Sequence, residues 1–270
     1  MNQPNIPLSF EEAKSFLLAL VLTQARIVAM FIAPPFAQAT LLPGPLRIAV
    51  AFGLGLLVAP IVSPGLHSGA PGGVELLALL IKEAAIGFVL GYLVAIPFWA
   101  FETLGFIIDN QRGASIAATI DPATGHDSSP LGILFAQAFL VLFFVTNGVT
   151  LFMGLIYDSF LQWPPLAFWP TLTEDAATLL FEQFNRLITI GLLLAAPVLV
   201  AMFISEVGLA LIGRFVPQLE VFFLAMPIKS ALAFLVLVLC SSTLFDYGTH
   251  YLQEIGTWVL RLDSLLRPGQ

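Results

Sequence analysis

The sequence predicts an all-α, polytopic membrane protein built of helical hairpins, and three observations lead to that fold class. Of its 270 residues, 59% are hydrophobic and only 10% are charged, whereas soluble globular chains carry about 25% charged residues. The mean hydropathy is +0.96. Several apolar runs reach about 18 residues or more, which is long enough to cross a bilayer as a helix. The short alternating segments of a membrane β-barrel are absent from the sequence.

Six apolar segments are predicted to be membrane helices. They lie at about 15–33, 46–62, 76–100, 131–156, 184–213 and 228–245. The second is short and ends at Pro60, which suggests a tilted or partial span. Prolines cannot continue the hydrogen bonding of a helix, so proline-rich stretches are interpreted as helix ends and turns. These stretches are Pro34-Pro35, Pro43-Gly44-Pro45, Pro64, Pro71-Gly72-Gly73, Trp163-Pro164-Pro165 and Trp169-Pro170. Two further prolines, Pro97 and Pro197, interrupt apolar runs and predict broken helices.

Composition and motifs give little support to catalysis. The net charge of −7 argues against a nucleic-acid partner, because binding phosphates requires a basic face. The single cysteine, Cys240, excludes an internal disulfide and a cysteine-rich metal site. No zinc-protease motif, nucleophile elbow or P-loop is present. His126 and Asp127 could form a metal or acid–base pair, but a solvated loop is the favoured interpretation. No enzyme activity, cofactor or metal is therefore expected.

Five charged residues interrupt or border the apolar runs: Arg26, Lys82, Glu83, Glu206 and Lys229. A charge at the centre of a membrane helix costs about 2.5–3.5 kcal/mol on insertion scales. None of them has an opposite charge three or four positions away on its own helix, and the adjacent Lys82 and Glu83 are expected to point in different directions. Their partners should lie on other helices or other chains. Both packing pairs inside the bundle and a polar path or subunit interface remain open.

A polar stretch followed by small residues stands out between the third and fourth runs, with the sequence DNQRGASIAATIDP from Asp109 to Pro122. Small side chains allow backbones to approach closely, and the residue before a proline prefers an extended backbone. Non-helical backbone at membrane depth is tolerated only where protein buries it or where it lines a cavity. The pattern fits a loop that plugs a pore, although an ordinary polar loop is also compatible with it.

Three blocks of sequence resemble the T subunit of the type III secretion export gate, the FliR/SctT/SpaR family. They are GFIIDNQRGASIAATIDPATG from Gly105, LFFVTNGVTLFMGLIYDSFLQWP from Leu142, and VPQLEVFFLAMPIKS from Val216. Their order and spacing extend the resemblance over nearly the whole chain. The DNQRG form is more similar to the injectisome branch than to the flagellar branch. Glu220 departs from the family, which commonly has Asn at that position.

The resemblance implies a structural and gating subunit of a protein-export channel in the bacterial inner membrane. Its partners would be the R, S and U export-gate subunits, the large V subunit and unfolded substrate proteins in transit. Residues 1–180 would form a part pseudo-symmetric with the R subunit, including a plug loop at about 105–130. Residues 181–270 would form an S-like hairpin and tail. The assembly would be lifted largely out of the bilayer toward the periplasm.

The resemblance also implies roles for individual residues. The pore plug would comprise Gly113, Ala114, Ser115, Ile116, Ala117, Ala118, Thr119 and Ile120, and its anchors would be Asp109, Gln111, Arg112, Asp121 and Pro122. A conformational turn would contain Pro217, Gln218 and Pro227. The charges inside the runs would pair across subunits. The alternative function is a small-molecule secondary transporter of the inner membrane, which would require an inverted repeat that the sequence does not show.

Overall fold

The described part of the protein is helical. The computed structural model describes residues 10–38, 41–67, 71–114, 129–167, 174–215 and 221–266. The helices are α1 (Phe10–Met30), α2 (Gly44–His67), α3 (Gly73–Arg112), α4 (Pro130–Val145), α5 (Gly148–Gln162), α6 (Glu174–Phe215) and α7 (Val221–Leu266), with a short 3-10 turn at Pro35–Ala37. These ranges contain no β-strand. The predicted all-α class is confirmed.

Five of these helices, α1, α2, α3, α6 and α7, are each long and apolar enough to cross a membrane. The α4–α5 pair qualifies only when its two members are taken together, which gives up to six spans. Five of the six predicted apolar segments are thus recovered as single helices, and the fourth corresponds to the α4–α5 pair. The helices α3, α6 and α7 contain 40, 42 and 46 residues. At a rise of about 1.5 Å per residue they are about twice as long as the ~30 Å hydrocarbon layer is thick.

The fourth predicted segment is not one continuous helix, because α4 ends at Val145 and α5 begins at Gly148. The backbone N–H and the hydroxyl of Thr146 both donate to the carbonyl of Leu142, at 2.9 and 2.8 Å. Asn147 has a φ of 60°, in the left-handed region that Asn enters more readily than most residues. A helix cannot continue through that conformation, so Thr146 and Asn147 end α4.

Several prolines lie inside helices, contrary to their interpretation as helix ends. Pro60 and Pro64 are both within α2, which runs on to His67 and is therefore longer than the predicted partial span. Pro97 and Pro197 are within α3 and α6, where no break in the helix is assigned. In membrane helices, neighbouring helices and small backbone adjustments can satisfy the carbonyl that a proline leaves free. The other described proline stretches do lie at ends and turns.

The chain folds into two compact units that alternate along the sequence. The first comprises Met1–Ala95, Val149–Ala177 and Ile255–Gln270, and the second comprises Ile96–Gly148 and Thr178–Glu254. The two units are defined by contacts among residues of this chain, and not by similarity to the R and S subunits. The division into an R-like part, 1–180, and an S-like part, 181–270, stays a prediction.

In the first unit, α1 packs closely against α2 and α3. On α3, a Cβ atom at Gly87 would lie 2.0 Å from the carbonyl oxygen of Arg26, and one at Gly91 would lie 2.4 Å from that of Met30. Glycines four residues apart allow two helices to approach in this way. Toward α2, the side-chain amide of Gln24 donates to the carbonyl of Ala51 at 3.1 Å. Close backbone contact and polar bonds between helices thus hold the three together.

In the second unit, an aromatic cluster joins α3 to α4. The rings of Phe98 and Phe139 meet edge to face at 4.9 Å, and those of Phe101 and Phe139 lie 4.5 Å apart. On α6, a Cβ at Gly191 would lie 3.3 Å from the carbonyl oxygen of Ala100. The cluster positions the last turns of α3 beside the beginning of α4.

Candidate functional sites

The C-terminal end of α3 is joined to the N-terminal end of α4 by Asp109. The Asp109 Oδ2 atom accepts hydrogen bonds from the Ser129 hydroxyl at 2.6 Å and from the Leu131 backbone N–H at 2.9 Å. Its Oδ1 atom accepts from Arg112 Nε at 2.7 Å. Asp109 is only 3% exposed. We call Asp109, Arg112, Ser129 and Leu131 the loop-base clamp, because they flank the connection that was predicted to form the plug.

Ser129 caps α4 and connects it to Asp109 at the same time. Its hydroxyl oxygen accepts from the Gly132 backbone N–H at 2.9 Å, and Pro130 occupies the first helical turn. Serine before a proline is a common beginning of a helix. The carboxylate of Asp109 adds a negative charge at this N-terminus, which the helix dipole favours. Asp109 therefore stabilises the first turn of α4, although it lies 22 positions before Leu131 in the sequence.

Two glycines bring the helix ends within reach of each other. A Cβ at Gly105 of α3 would lie 2.4 Å from the backbone nitrogen of Gly132. A Cβ at Gly132 would lie 2.9 Å from the Ser129 hydroxyl oxygen and 3.2 Å from the Glu102 carbonyl oxygen. Larger side chains would separate the helices and would draw Asp109 away from its donors.

The predicted plug anchors are described only in part. Asp109 and Arg112 are brought together, and Arg112 also lies over the Phe234 ring of α7, with its Cζ atom 5.6 Å from the ring centroid. Gln111 is half-buried in the last turn of α3. Gly113 has a φ of 87° and ends the helix, as glycine commonly does. The remaining anchors, Asp121 and Pro122, and the plug residues 115–120 lie outside the described residues.

A second polar site lies in the first unit, where Arg26, Lys82 and Glu83 form a buried cluster. Arg26 binds the Glu83 carboxylate through two nitrogens, at 2.7 and 2.9 Å. The Lys82 ammonium lies 2.9 Å from the same carboxylate. All three residues are at most 3% exposed. The expectation that Lys82 and Glu83 point in different directions is wrong, since both turn toward Arg26 and the C-terminal end of α5.

The two cations of this cluster also bind carbonyl groups in the last turn of α5 and in the residues that follow it. Arg26 donates to the carbonyls of Ser159 and Trp163 at 2.6 and 2.7 Å. Lys82 donates to the carbonyls of Pro164, Pro165 and Ala167 at 3.3, 2.8 and 2.9 Å. Positive charge is favoured near the C-terminal end of a helix, where the helix dipole is negative. The partners of Arg26, Lys82 and Glu83 thus lie within the chain, whereas the resemblance implied contacts with other subunits.

The third polar site is an ion pair between α6 and α7. Lys229 Nζ lies 3.0 Å from Glu206 Oε2, so the prediction that Glu206 has a partner on another helix is confirmed. The Lys229 side chain is 12% exposed and the Glu206 side chain is 48% exposed. A contact of Glu206 with another subunit stays a prediction. Of the predicted conformational turn, Pro227 lies inside α7, and Pro217 and Gln218 lie outside the described residues.

Sequence reasoning missed several residues of these sites. Ser129 had a recognisable signal, since Ser-Pro followed by apolar residues is typical of a helix start. Gly87 and Gly91 had one as well, because glycines four residues apart in an apolar run indicate a helix contact. No sequence signal indicated Ser159 or the carbonyl groups of the residues that follow it. In the described ranges, no three His, Cys, Asp or Glu side chains lie close enough together to hold a metal ion.

Comparisons with known proteins place the chain in a family. The family model described as bacterial export proteins, family 1, matches residues 17–255. The Yop proteins translocation protein T of Yersinia pestis is 40% identical over 236 residues, which are 86% of this chain and 89% of that protein. The SpaR surface presentation of antigens protein of Shigella flexneri is 31% identical over 87% of this chain and 90% of its own length.

A flagellar relative is also similar. The flagellar biosynthetic protein FliR of Bacillus subtilis is 30% identical over 84% of this chain and 87% of its own length. The higher identity with the Yersinia protein agrees with the predicted injectisome branch. These similarities give no support to the transporter alternative. The chain belongs to family 1 of the bacterial export proteins, the FliR/SctT/SpaR family of type III secretion, and its injectisome-type members are the more similar ones.

Proposed function

We propose that this chain is a structural and gating subunit of the type III secretion export gate, in the bacterial inner membrane. It would form part of the closed helical channel through which unfolded substrate proteins cross the inner membrane. The observation that carries this proposal is the family match over residues 17–255, which extends from α1 to the C-terminal part of α7.

The plug of this channel would be the small-residue segment from Gly113 to Ile120. Its composition supports this role, because small side chains can fill a narrow pore and still be displaced by a passing chain. The loop-base clamp also supports it. Asp109 bonds to Ser129 and Leu131, and this contact keeps the two ends of the connection together.

The chain would act within an assembly of R, S, U and V subunits and would have no catalytic residue or cofactor of its own. Energy would come from a soluble ATPase and from the proton-motive force used by the V subunit. The assembly would protrude toward the periplasm. The lengths of α3, α6 and α7 are compatible with protrusion from the bilayer, because each helix is longer than one hydrocarbon layer is thick. The half-exposed Glu206 is a candidate for contact with a neighbouring subunit.

Affinity purification tests this function. The chain would be coexpressed with its neighbouring R and S membrane subunits, and the intact complex would be weighed by mass spectrometry. We expect a discrete complex with one copy of this chain among several R and S subunits. A stable monomer or homo-oligomer in the presence of those subunits would contradict the proposal and would restore the transporter alternative.

A further inference from the structure

We propose that Asp109 is the positioning residue of the gate, and that closure of the pore depends on its bonds to Ser129 and Leu131. This inference rests on the proposed export function. It concerns the described ends of α3 and α4 rather than the residues between them. A closed channel requires these two helix ends to be tied together, whatever side chains fill the pore.

The bonding of Asp109 supports a tie rather than a local cap. One carboxylate binds three donors, and two of them, the Ser129 hydroxyl and the Leu131 N–H, lie 20 and 22 residues later in the chain. At 3% exposure the carboxylate is nearly shielded from water. A buried acceptor that loses its donors keeps the full cost of its desolvation. The helix ends therefore separate only at a large energetic cost.

The third donor extends the tie to another helix. Arg112 binds Asp109 through Nε at 2.7 Å, and its guanidinium lies over the Phe234 ring of α7. A cation above an aromatic face is attracted to it. Asp109 thus orients Arg112, and Arg112 joins the loop base to α7. A displacement of α7 at Phe234 would reach the loop base through this contact.

The substitution Asp109→Asn isolates the tie with little change in size. An amide has one acceptor oxygen and two N–H donors, so it cannot accept from Ser129, Leu131 and Arg112 together. The matched control is Glu102→Gln, which removes an exposed carboxylate from the same helix. Ser129→Ala removes the hydroxyl that donates to Asp109, whereas Ser129→Thr keeps a hydroxyl at this position. This second pair keeps the test possible if Asp109→Asn does not fold.

The measurement is ion leak through complexes assembled with R and S subunits in cells, with assembly checked by copurification. We expect Asp109→Asn and Ser129→Ala to raise the leak about tenfold, which corresponds to about 1.4 kcal/mol of closed-state stabilisation. Glu102→Gln and Ser129→Thr should leave the leak unchanged. A leak like that of the wild type in an assembled Asp109→Asn complex would overturn the proposal.

A chemical crosslink tests whether the connection between the two helix ends, and not the negative charge of Asp109, keeps the pore closed. The double variant Asp109→Cys/Ser129→Cys would be made in a Cys240→Ser background, because Cys240 is the one cysteine of the chain. Dibromobimane, a short reagent that becomes fluorescent when both of its arms have reacted with thiols, would then join the two positions. We expect the leak to fall as fluorescence appears. A leak that persists after crosslinking would show that tying the helix ends together does not close the pore.

Hydrogen exchange of the Leu131 amide distinguishes this inference from the proposed function. In the purified wild-type chain the Leu131 amide should exchange slowly, because it donates to Asp109. In Asp109→Asn it should exchange about tenfold faster, which corresponds to about 1.4 kcal/mol. If the wild-type chain assembles with no R or S subunit, the export function fails while this readout is unaffected. If the exchange changes and the assembled complex stays closed, the positioning role alone is wrong.

Discussion

Arg26 shows how a single side chain can join several helices inside a membrane protein. Its guanidinium has five N–H donors, and they serve Glu83, Ser159 and the carbonyl of Trp163. Phe160 lies against the same group, with its ring centroid 4.2 Å from Cζ. Arginine is suited to this position because its donors form a rigid, planar fork. The residue therefore joins α1, α3 and the C-terminal end of α5.

The first prediction is that Arg26→Lys destabilises the protein although it keeps the charge. A lysine has three donors on one nitrogen and cannot reach all of these acceptors. Losing at least one hydrogen bond to a charged group should lower the free energy of unfolding by about 1.5–3 kcal/mol. Thermal unfolding of the detergent-purified chain measures this. Arg214→Lys, at an exposed position of α6, is the control, and equal melting temperatures for the two variants would contradict the prediction.

The second prediction concerns the energetic coupling between Glu206 and Lys229. Their charges lie 3.0 Å apart, and Lys229 is largely buried. A double-mutant cycle with Glu206→Gln and Lys229→Gln should give a coupling energy of about 0.5–3 kcal/mol. The control cycle is the exposed pair Glu11–Lys14 at 3.7 Å, for which we expect about 0–1 kcal/mol. If the coupling at 206 and 229 is no larger than in the control, the pair does not stabilise the contact between α6 and α7.

At the level of the helices, hydropathy predicted the elements well but not their breaks. Apolar runs identify spans because a membrane helix must be apolar along its length. The break at Thr146 and Asn147 lies inside such a run, and its cause is a backbone conformation that a hydropathy average does not register. The prediction that Pro60 and Pro64 end a helix was wrong, because it considered only the low helix propensity of proline. In α2, neighbouring helices and small backbone adjustments can satisfy the carbonyl groups that the prolines leave without a donor.

The polar sites were harder to predict than the helices. The sequence indicated that Arg26 and Glu83 needed partners, and their pairing was one of the open possibilities. It did not indicate that Lys82 would join them, because adjacent residues on a helix normally diverge. The carbonyls at the end of α5 bring the two side chains to one place. Backbone acceptors are common to all sequences, so residue types cannot identify which of them will be used.

The third prediction tests the contact between α1 and α3. Gly87→Ala should destabilise the first unit, because the new Cβ would lie 2.0 Å from the backbone of Arg26 and the helices must separate. Gly154 of α5 has open space where its Cβ would be, so Gly154→Ala should instead stabilise the helix by about 0.5–1 kcal/mol. Thermal unfolding should therefore give shifts of opposite sign. Shifts of the same sign would show that close packing does not explain Gly87.

At the scale of the whole molecule, the family resemblance predicted more than the physical pattern alone. Composition established a polytopic helical protein, and the family match over residues 17–255 confirmed the kinship that the Asp109–Pro122 stretch suggested. Two residues at the start of that stretch, Asp109 and Arg112, are parts of the loop-base clamp. Their partner Ser129 is distant in sequence, and only the folded chain brings it near. Of the other predicted anchors, Gln111 lies in the last turn of α3, and Asp121 and Pro122 lie outside the described residues, so the anchoring role stays a prediction.

The last prediction concerns the plug, and it separates the small-residue segment from its base. Deleting Gly113–Ile120 should leave Asp109, Ser129 and Leu131 in place, because their bonds involve none of the deleted residues. The deleted complex should still assemble with R and S subunits but should admit small solutes, since nothing would fill the pore. Replacing the same eight residues with an equal number of glycines and serines is the matched control for length.

Solute uptake in cells and copurification of the complex measure the two properties separately. We expect the deletion to leak strongly and the glycine–serine replacement to leak less, because the replacement keeps a chain of the same length across the pore. Assembly should be preserved in both variants, since the clamp and the helix contacts are intact. Unchanged ion conductance in a deletion variant that still assembles would mean that Gly113–Ile120 does not seal the channel, and that the seal lies elsewhere in the assembly.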